Sequence, residues 1–182
     1  MNCSPPQNDG WVILLMGVSG CGKTSVGEAL ASRLGCPFYD GDDFHPPENK
    51  EKMSRGNPLD DEDRLPWLRE LKKLIRTHLA RNERAVVACS ALKKGYRDLL
   101  RNGNPGLAFV YLRGEYRLIL ERMRQRKDHF MKTEMLRSQF DVLEEPGDEE
   151  ALTPDILMDT DHIVESIIEQ FSNRGIINVQ SE

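Results

Sequence analysis

A chain of 182 residues, 38% hydrophobic and 30% charged, has the length and balance of one water-soluble globular domain with a full core. Its net charge of −5 argues against general nucleic-acid binding, which needs a basic surface, but allows an anionic small molecule in a locally basic pocket. The longest apolar run, Trp11 to Met16, is far short of the roughly 20 residues that cross a bilayer, so no membrane partner is expected. Met1 to Gly10 is polar and Pro-containing, without a signal or transit pattern, and is read as a flexible segment 1–10. Cys3, Cys21, Cys36 and Cys89 form no C-x-x-C pair, so reduced thiols and a cytoplasmic location are expected.

The apolar run Trp11 to Met16 reads as a buried strand, followed by a helix from Lys23 to about Leu34. A second strand, Cys36 to Tyr39, leads into Asp40-Gly41-Asp42-Asp43-Phe44-His45-Pro46-Pro47, whose composition marks a functional loop. Pro46-Pro47 suits the start of a short helix to about Met53, which Arg55-Gly56-Asn57-Pro58 ends. Leu65, Leu68, Leu71, Ile75 and Leu79 recur at three- and four-residue steps, predicting a helix from about Asp60 to Arg81 with an acidic first turn. Ala85 to Cys89 and Leu107 to Leu112 are continuous apolar runs of strand length, each before a charged helical stretch. The pattern is α/β with a parallel sheet. A last strand is expected at Ile156 to Asp159, then a helix from about His162 to Phe171 and a frayed tail over 173–182.

Gly17-Val18-Ser19-Gly20-Cys21-Gly22-Lys23-Thr24 fits G-x-x-x-x-G-K-[ST] and lies between a strand and a helix, as a phosphate-binding loop requires. Glycines let the backbone curl so that its N–H groups face the phosphates, and the helix N-terminus adds positive potential. Gly17, Ser19, Gly20, Cys21, Gly22, Lys23, Thr24 and Ser25 are thus the nucleotide-side candidates. Lys23 would bridge the β- and γ-phosphates of ATP, and the Thr24 hydroxyl would serve Mg²⁺. Cys21 reads either as an oxidation-sensitive thiol or as a small residue that fits.

No Asp ends the strand Ala85 to Cys89, because Ser90 follows, so another carboxylate must serve the metal. Asp40, Asp42 and Asp43 close the second strand at the edge where ligands bind in open α/β sheets. One would assist Mg²⁺ and another would accept the acceptor's hydroxyl proton. Arg64, Lys93, Lys94 and Arg97 suggest an anionic acceptor, since guanidinium clamps a carboxylate and ammonium supplies a point charge. Arg122, Arg124, Arg126 and Lys127 run into Asp128-His129-Phe130-Met131, a pattern suited to a lid over about 124–140 or to an ordinary charged helix.

The phosphate loop, Tyr39-Asp40-Gly41-Asp42-Asp43-Phe44-His45-Pro46, Asp61-x-Asp63-Arg64-x-Pro66-Trp67-Leu68, Cys89-Ser90-Ala91-Leu92-Lys93-Lys94-x-Tyr96-Arg97, and His129-Phe130-Met131 with Ser138-Gln139-Phe140 together resemble the gluconokinase family. The resemblance spans about residues 11 to 172, expected to form a single P-loop kinase domain. It implies a three-layer, adenylate-kinase-like core with a five-stranded parallel sheet and helical substrate-binding and lid segments. It also implies ATP and Mg²⁺ as cosubstrates, D-gluconate as acceptor, and a homodimer. By matching motifs, Asp42, His45, Arg64, Lys93, Arg97, His129 and Gln139 would bind the acceptor, Arg122 would lie near the nucleotide, and Lys23, Asp42 and Arg126 would act in transfer, with Thr24 and Asp40 at the metal. A related P-loop kinase acting on shikimate or another aldonate, or a nucleotide-binding module without turnover, would share much of this pattern.

Overall fold

The computed structural model describes residues 10–125 and 133–177. Five strands, β1 (Val12–Met16), β2 (Phe38–Asp40), β3 (Ala85–Ala88), β4 (Leu107–Tyr111) and β5 (Ala151–Leu152), form one parallel sheet in the order β2-β3-β1-β4-β5. Between them run α1 (Lys23–Leu34), a short 3₁₀ turn (Gly41–Phe44), α2 (Pro47–Ser54), α3 (Asp61–Ala80), α4 (Lys94–Arg101), α5 (Tyr116–Gln125) and α6 (Thr133–Val142), with α7 (Thr160–Asn173) last. This is the expected α/β class. Among the described residues, no helix is long and apolar enough to cross a membrane.

β1 is the middle strand, and its side chains alternate between two cores. Ile13 and Leu15 pack with Val26 and Leu30 of α1, Ile119 of α5, and Ile163 and Ile167 of α7. Val12, Leu14 and Met16 pack on the other face with Trp67, Leu68, Leu71 and Ile75 of α3 and Leu100 of α4. A strand covered on both faces needs apolar residues throughout, so β1, β3 and β4 read as unbroken hydrophobic runs.

Leu68, Leu71 and Ile75 of α3 are buried in this second core and the partly buried Leu79 packs against it, whereas Leu65 is only partly buried. Its start is set by a capping box: the Asp60 side chain accepts from the Asp63 N–H and the Asp63 side chain from the Asp60 N–H, each at 2.9 Å. That cap fixes where Arg64 leaves the helix.

Three expectations need correction. The last strand is the two-residue β5, not Ile156 to Asp159; Ile156 is a buried loop residue, and Asp159 caps α7 by accepting from the His162 N–H at 3.0 Å. A strand of two residues carries too little periodicity to be seen in sequence. The chain also does not fray at Asn173, since Ile177 is 2% exposed and packs on the first core. Gly10, placed in the flexible N-terminal segment, is buried and donates its N–H to Asn82 Oδ1 at 2.8 Å. The segment expected to form a lid over about 124–140 lies partly outside the described residues.

Candidate active site

The C-terminal ends of β1, β2 and β3 meet at one edge of the sheet, where the Gly17 N–H donates to the Ser90 carbonyl at 3.2 Å. The loop from Gly17 to Gly22 then delivers the chain into α1. Gly22 is the N-cap, at φ 105, and supplies no side-chain cap; the first turn of α1 holds no acidic residue. The contrast with α3, which satisfies its own N-terminus, is informative. The first N–H groups of α1 have no side-chain cap, an arrangement that suits an anion such as phosphate. Gly20, at φ 83, is fixed by packing as well, because a Cβ there would come 2.6 Å from Met123 Cγ.

Lys23 Nζ donates to the carbonyls of Gly17 (3.0 Å) and Val18 (2.9 Å), which holds the ammonium over the loop. Cys21 is 2% exposed, and a Cβ on Gly17 would lie 2.9 Å from its sulfur, so it packs beneath the loop. Gln139 of α6 grips the loop directly: its Oε1 accepts from the Ser19 N–H (2.7 Å) and its Nε2 donates to Ser19 Oγ (3.1 Å). Behind the loop a cavity of about 380 Å³ is lined by Gly20, Gly22, Ser25, Arg122, Ile156 and Ile163. Arg122 holds its wall by donating to the Ile156 carbonyl at 2.6 Å.

Asp40 ends β2 and uses both oxygens: Oδ2 accepts from Thr24 Oγ1 and Oδ1 from the Asp42 N–H, each at 3.1 Å. A hydroxyl and a carboxylate side by side form an all-oxygen donor pair, which suits Mg²⁺. Among the described residues no cluster of three or more His, Cys, Asp or Glu side chains could hold a metal by itself. Such a pair fits a cation that takes its other ligands from phosphate and water.

The 3₁₀ turn after Asp40 is pinned from below. Gly41 is buried against β3, with the Ala88 carbonyl 2.4 Å from where a Cβ would sit, and Trp67 Nε1 donates to the Gly41 carbonyl at 2.7 Å. Asp42 therefore leaves a fixed backbone at the C-terminal edge of the sheet, beside Asp40. Loss of solvation raises its pKa; Lys23 opposes this, and Asp40 and Asp43 add to it. The side chain still keeps 82% of its area open, so it remains accessible to a substrate. A carboxylate raised in this way is a better proton acceptor than an ordinary one.

His45 is stacked on Trp67, with ring centroids 4.2 Å apart and planes at 16°, and its Nε2 lies 3.9 Å from Asp42 Oδ1. Burial lowers its pKa to about 4, and Arg64 and Lys50 push in the same direction, so the ring is neutral near pH 7.

An open cleft of about 760 Å³ adjoins this corner, with Arg64, Lys93 and Gln139 among its walls. Lys93 Nζ contacts both oxygens of Asp61 at 2.6 and 2.8 Å, and the Tyr96 hydroxyl donates to the same carboxylate. The Lys93 bond holds the Asp61 carboxyl below its usual range, and Asp61 in turn raises Lys93. Arg64 and Lys93 thus border one open cleft together with the carboxylates of Asp60, Asp61 and Glu62.

The structure accordingly brings together Lys23, Thr24, Asp40, Asp42, His45, Arg64, Lys93 and Gln139. It does not bring Arg97 with them. Arg97 is 1% exposed and points away from the cleft: Nε and Nη2 donate to Glu150 (2.7 and 3.2 Å), and Nη1 to the carbonyls of Glu144 (2.8 Å), Ala91 and Leu92 (both 3.2 Å). Every polar face of this guanidinium is already used by protein, which corrects its reading as an acceptor ligand. Lys94 is likewise a surface residue, paired with Asp98 one turn on. Arg126 and His129 lie outside the described residues. Sequence reasoning gave Trp67 no role of its own and passed over Asn49. Trp67 reads in sequence as a core aromatic, with nothing local to show that its indole N–H meets Gly41, and only the four-residue step from His45 to Asn49 hints at the latter.

A strand, a phosphate loop with its lysine, a hydroxyl paired to a carboxylate, and an adjoining polar cleft that holds Arg64 and Lys93 define a small P-loop kinase. A family model described as shikimate kinase matches residues 19–174. The chain is 46% identical over 165 residues to the thermoresistant gluconokinase of Escherichia coli, covering 91% of this chain and 93% of that protein. A gluconokinase structure from Sinorhizobium meliloti superposes with a TM-score of 0.82 at 45% identity, over 91% of this chain and 93% of the other. A sugar kinase structure from Janibacter gives 0.84 at 35% identity, over 93% and 99%. The chain belongs to the gluconokinase family.

Proposed function

We propose that this chain transfers the γ-phosphoryl group of ATP to the 6-hydroxyl of D-gluconate, giving ADP and 6-phospho-D-gluconate. The observation that carries the reading is the convergence of Lys23, Asp42 and the Arg64–Lys93 cleft on one sheet edge, in a chain of this family. The α1 N-terminus and loop amides would hold the phosphates, and Lys23 would leave its two carbonyl partners to meet the charge that develops on the transferred group. Asp42 would accept the hydroxyl proton as the new oxygen–phosphorus bond forms and the bond to the ADP oxygen breaks. Arg64 and Lys93 would face the gluconate carboxylate, and His45 a hydroxyl. Mg²⁺, when bound at Thr24 and Asp40, supplies neutralisation of phosphate charge. The family resemblance adds Arg126 to the catalytic set and His129 to the acceptor set and implies a homodimer, and the four cysteines without a C-x-x-C pair fit a cytoplasmic location.

Because the matched family model is described as shikimate kinase, shikimate is the reading to exclude. ADP release is measured with Mg·ATP and D-gluconate, other aldonates, shikimate or nucleoside monophosphates. Turnover with gluconate alone is expected, and turnover only with another acceptor would move the substrate assignment. Lys23→Ala should remove acceptor-dependent ADP release while the protein stays folded.

A further inference from the structure

Asn49 lies near the start of α2, four residues after His45, and is 5% exposed. Its Nδ2 donates to the Asp63 carbonyl at 2.7 Å and faces His45 Nδ1 at 3.4 Å. A carbonyl oxygen only accepts, so the amide must turn its NH₂ group toward Asp63; the reverse orientation would press two oxygens together. The second hydrogen of that NH₂ is then available to His45, and Nδ1 must be an unprotonated acceptor to take it. A neutral imidazole carries one proton, which leaves it on Nε2. That nitrogen faces Asp42, 3.9 Å away, and stacking on Trp67 restrains the ring from turning.

We infer that Asn49 is a positioning residue that holds His45 in the Nε2–H form, so that the ring presents a hydrogen-bond donor beside Asp42 in the acceptor site. A substrate hydroxyl between the two would donate to Asp42 and accept from His45, which fixes its direction. The opposite tautomer would aim a lone pair at the Asp42 carboxylate and could not serve that hydroxyl's oxygen. The neutral ring that the scheme needs is supplied by burial and by the nearby cations Arg64 and Lys50. The inference rests on the proposed placement of His45 in the acceptor site, and the experiment separates the two.

Two-bond proton–nitrogen NMR of the ¹⁵N-labelled full chain near neutral pH reads the tautomer, with His45 assigned as the signal lost in His45→Gln. A protonated Nε2 with a bare Nδ1 is expected in the unsubstituted protein; a protonated Nδ1, or averaging between the two, overturns the inference. In Asn49→Ala the ring should populate both forms and the gluconate KM should rise about 3- to 10-fold, the size of one neutral hydrogen bond, with the ATP KM unmoved. An unchanged tautomer in folded Asn49→Ala would show that Asn49 only ties α2 to α3, a role that lowers stability but leaves the ring as it was. Gluconate should shift the His45 Nε2 signal; if it does not, His45 leaves the acceptor site while the tautomer assignment stands on its own measurement.

Discussion

Arg97→Met tests whether Arg97 belongs to the substrate or to the scaffold. Methionine keeps much of the buried volume but removes every donor. Glu150, with 18% of its side chain exposed, would lose both of its bonds, and the carbonyls of Glu144, Ala91 and Leu92 would lose their shared partner. Removing one member of a buried pair costs about 3–5 kcal/mol, because the other charge stays behind unpaired. On a domain of this size each kcal/mol moves Tm by about 2–4 °C, so a fall of about 6–20 °C is expected. Urea unfolding should show a lower midpoint at unchanged m. Arg97→Met/Glu150→Gln should recover part of the loss, since the second change removes the stranded charge, giving a non-additive cycle. A midpoint equal to that of the unsubstituted protein, with a gluconate KM raised tenfold or more, would refute the argument and return Arg97 to the acceptor site.

Asp42→Asn should lower kcat by at least about 100-fold, the usual contribution of a general base, while the ATP KM changes little; steady-state kinetics at saturating gluconate check this. His45 gives a pH dependence of stability. Its native pKa, about 4, lies below the ordinary 6.5, so as pH falls through that window the unfolded chain takes up a proton that the native ring refuses, and stability declines. His45→Gln should flatten the slope of Tm against pH between about 6.5 and 4, as read by calorimetry of both proteins. Gly41→Ala would place a Cβ 2.4 Å from the Ala88 carbonyl, forcing the turn away from β3. A loss of about 1–3 kcal/mol is expected from such overpacking, with a fall in kcat because Asp40 and Asp42 move with the turn.

The phosphate loop was legible because its chemistry is local: glycines that curl the backbone, a lysine and a threonine lie within eight consecutive residues and need only the strand before them and the helix after. The buried strands and the stripe of α3 were legible for a similar reason, since burial on one or two faces imposes a period on neighbouring residues. Asp40 and Asp42 could be placed at the site because the end of a strand in a parallel sheet is where ligands bind, although their division into a Thr24 partner and an open carboxylate beside His45 needed coordinates.

Arg97 was misread because its partners lie 47 and 53 residues further along the chain, in a loop and beside a strand of two residues that leaves no periodic trace. Cys21 in sequence is a thiol at a helix N-terminus; only the structure shows it packed under Gly17. The sequence by itself determined the class of fold, the nucleotide side of the site and the kind of acceptor, because local geometry and charge carry those. Tertiary structure alone decided which cations face the cleft, which is sealed in the scaffold, and which nitrogen of His45 bears the proton. Those outcomes depend on contacts between residues distant in sequence, and no local pattern records such contacts.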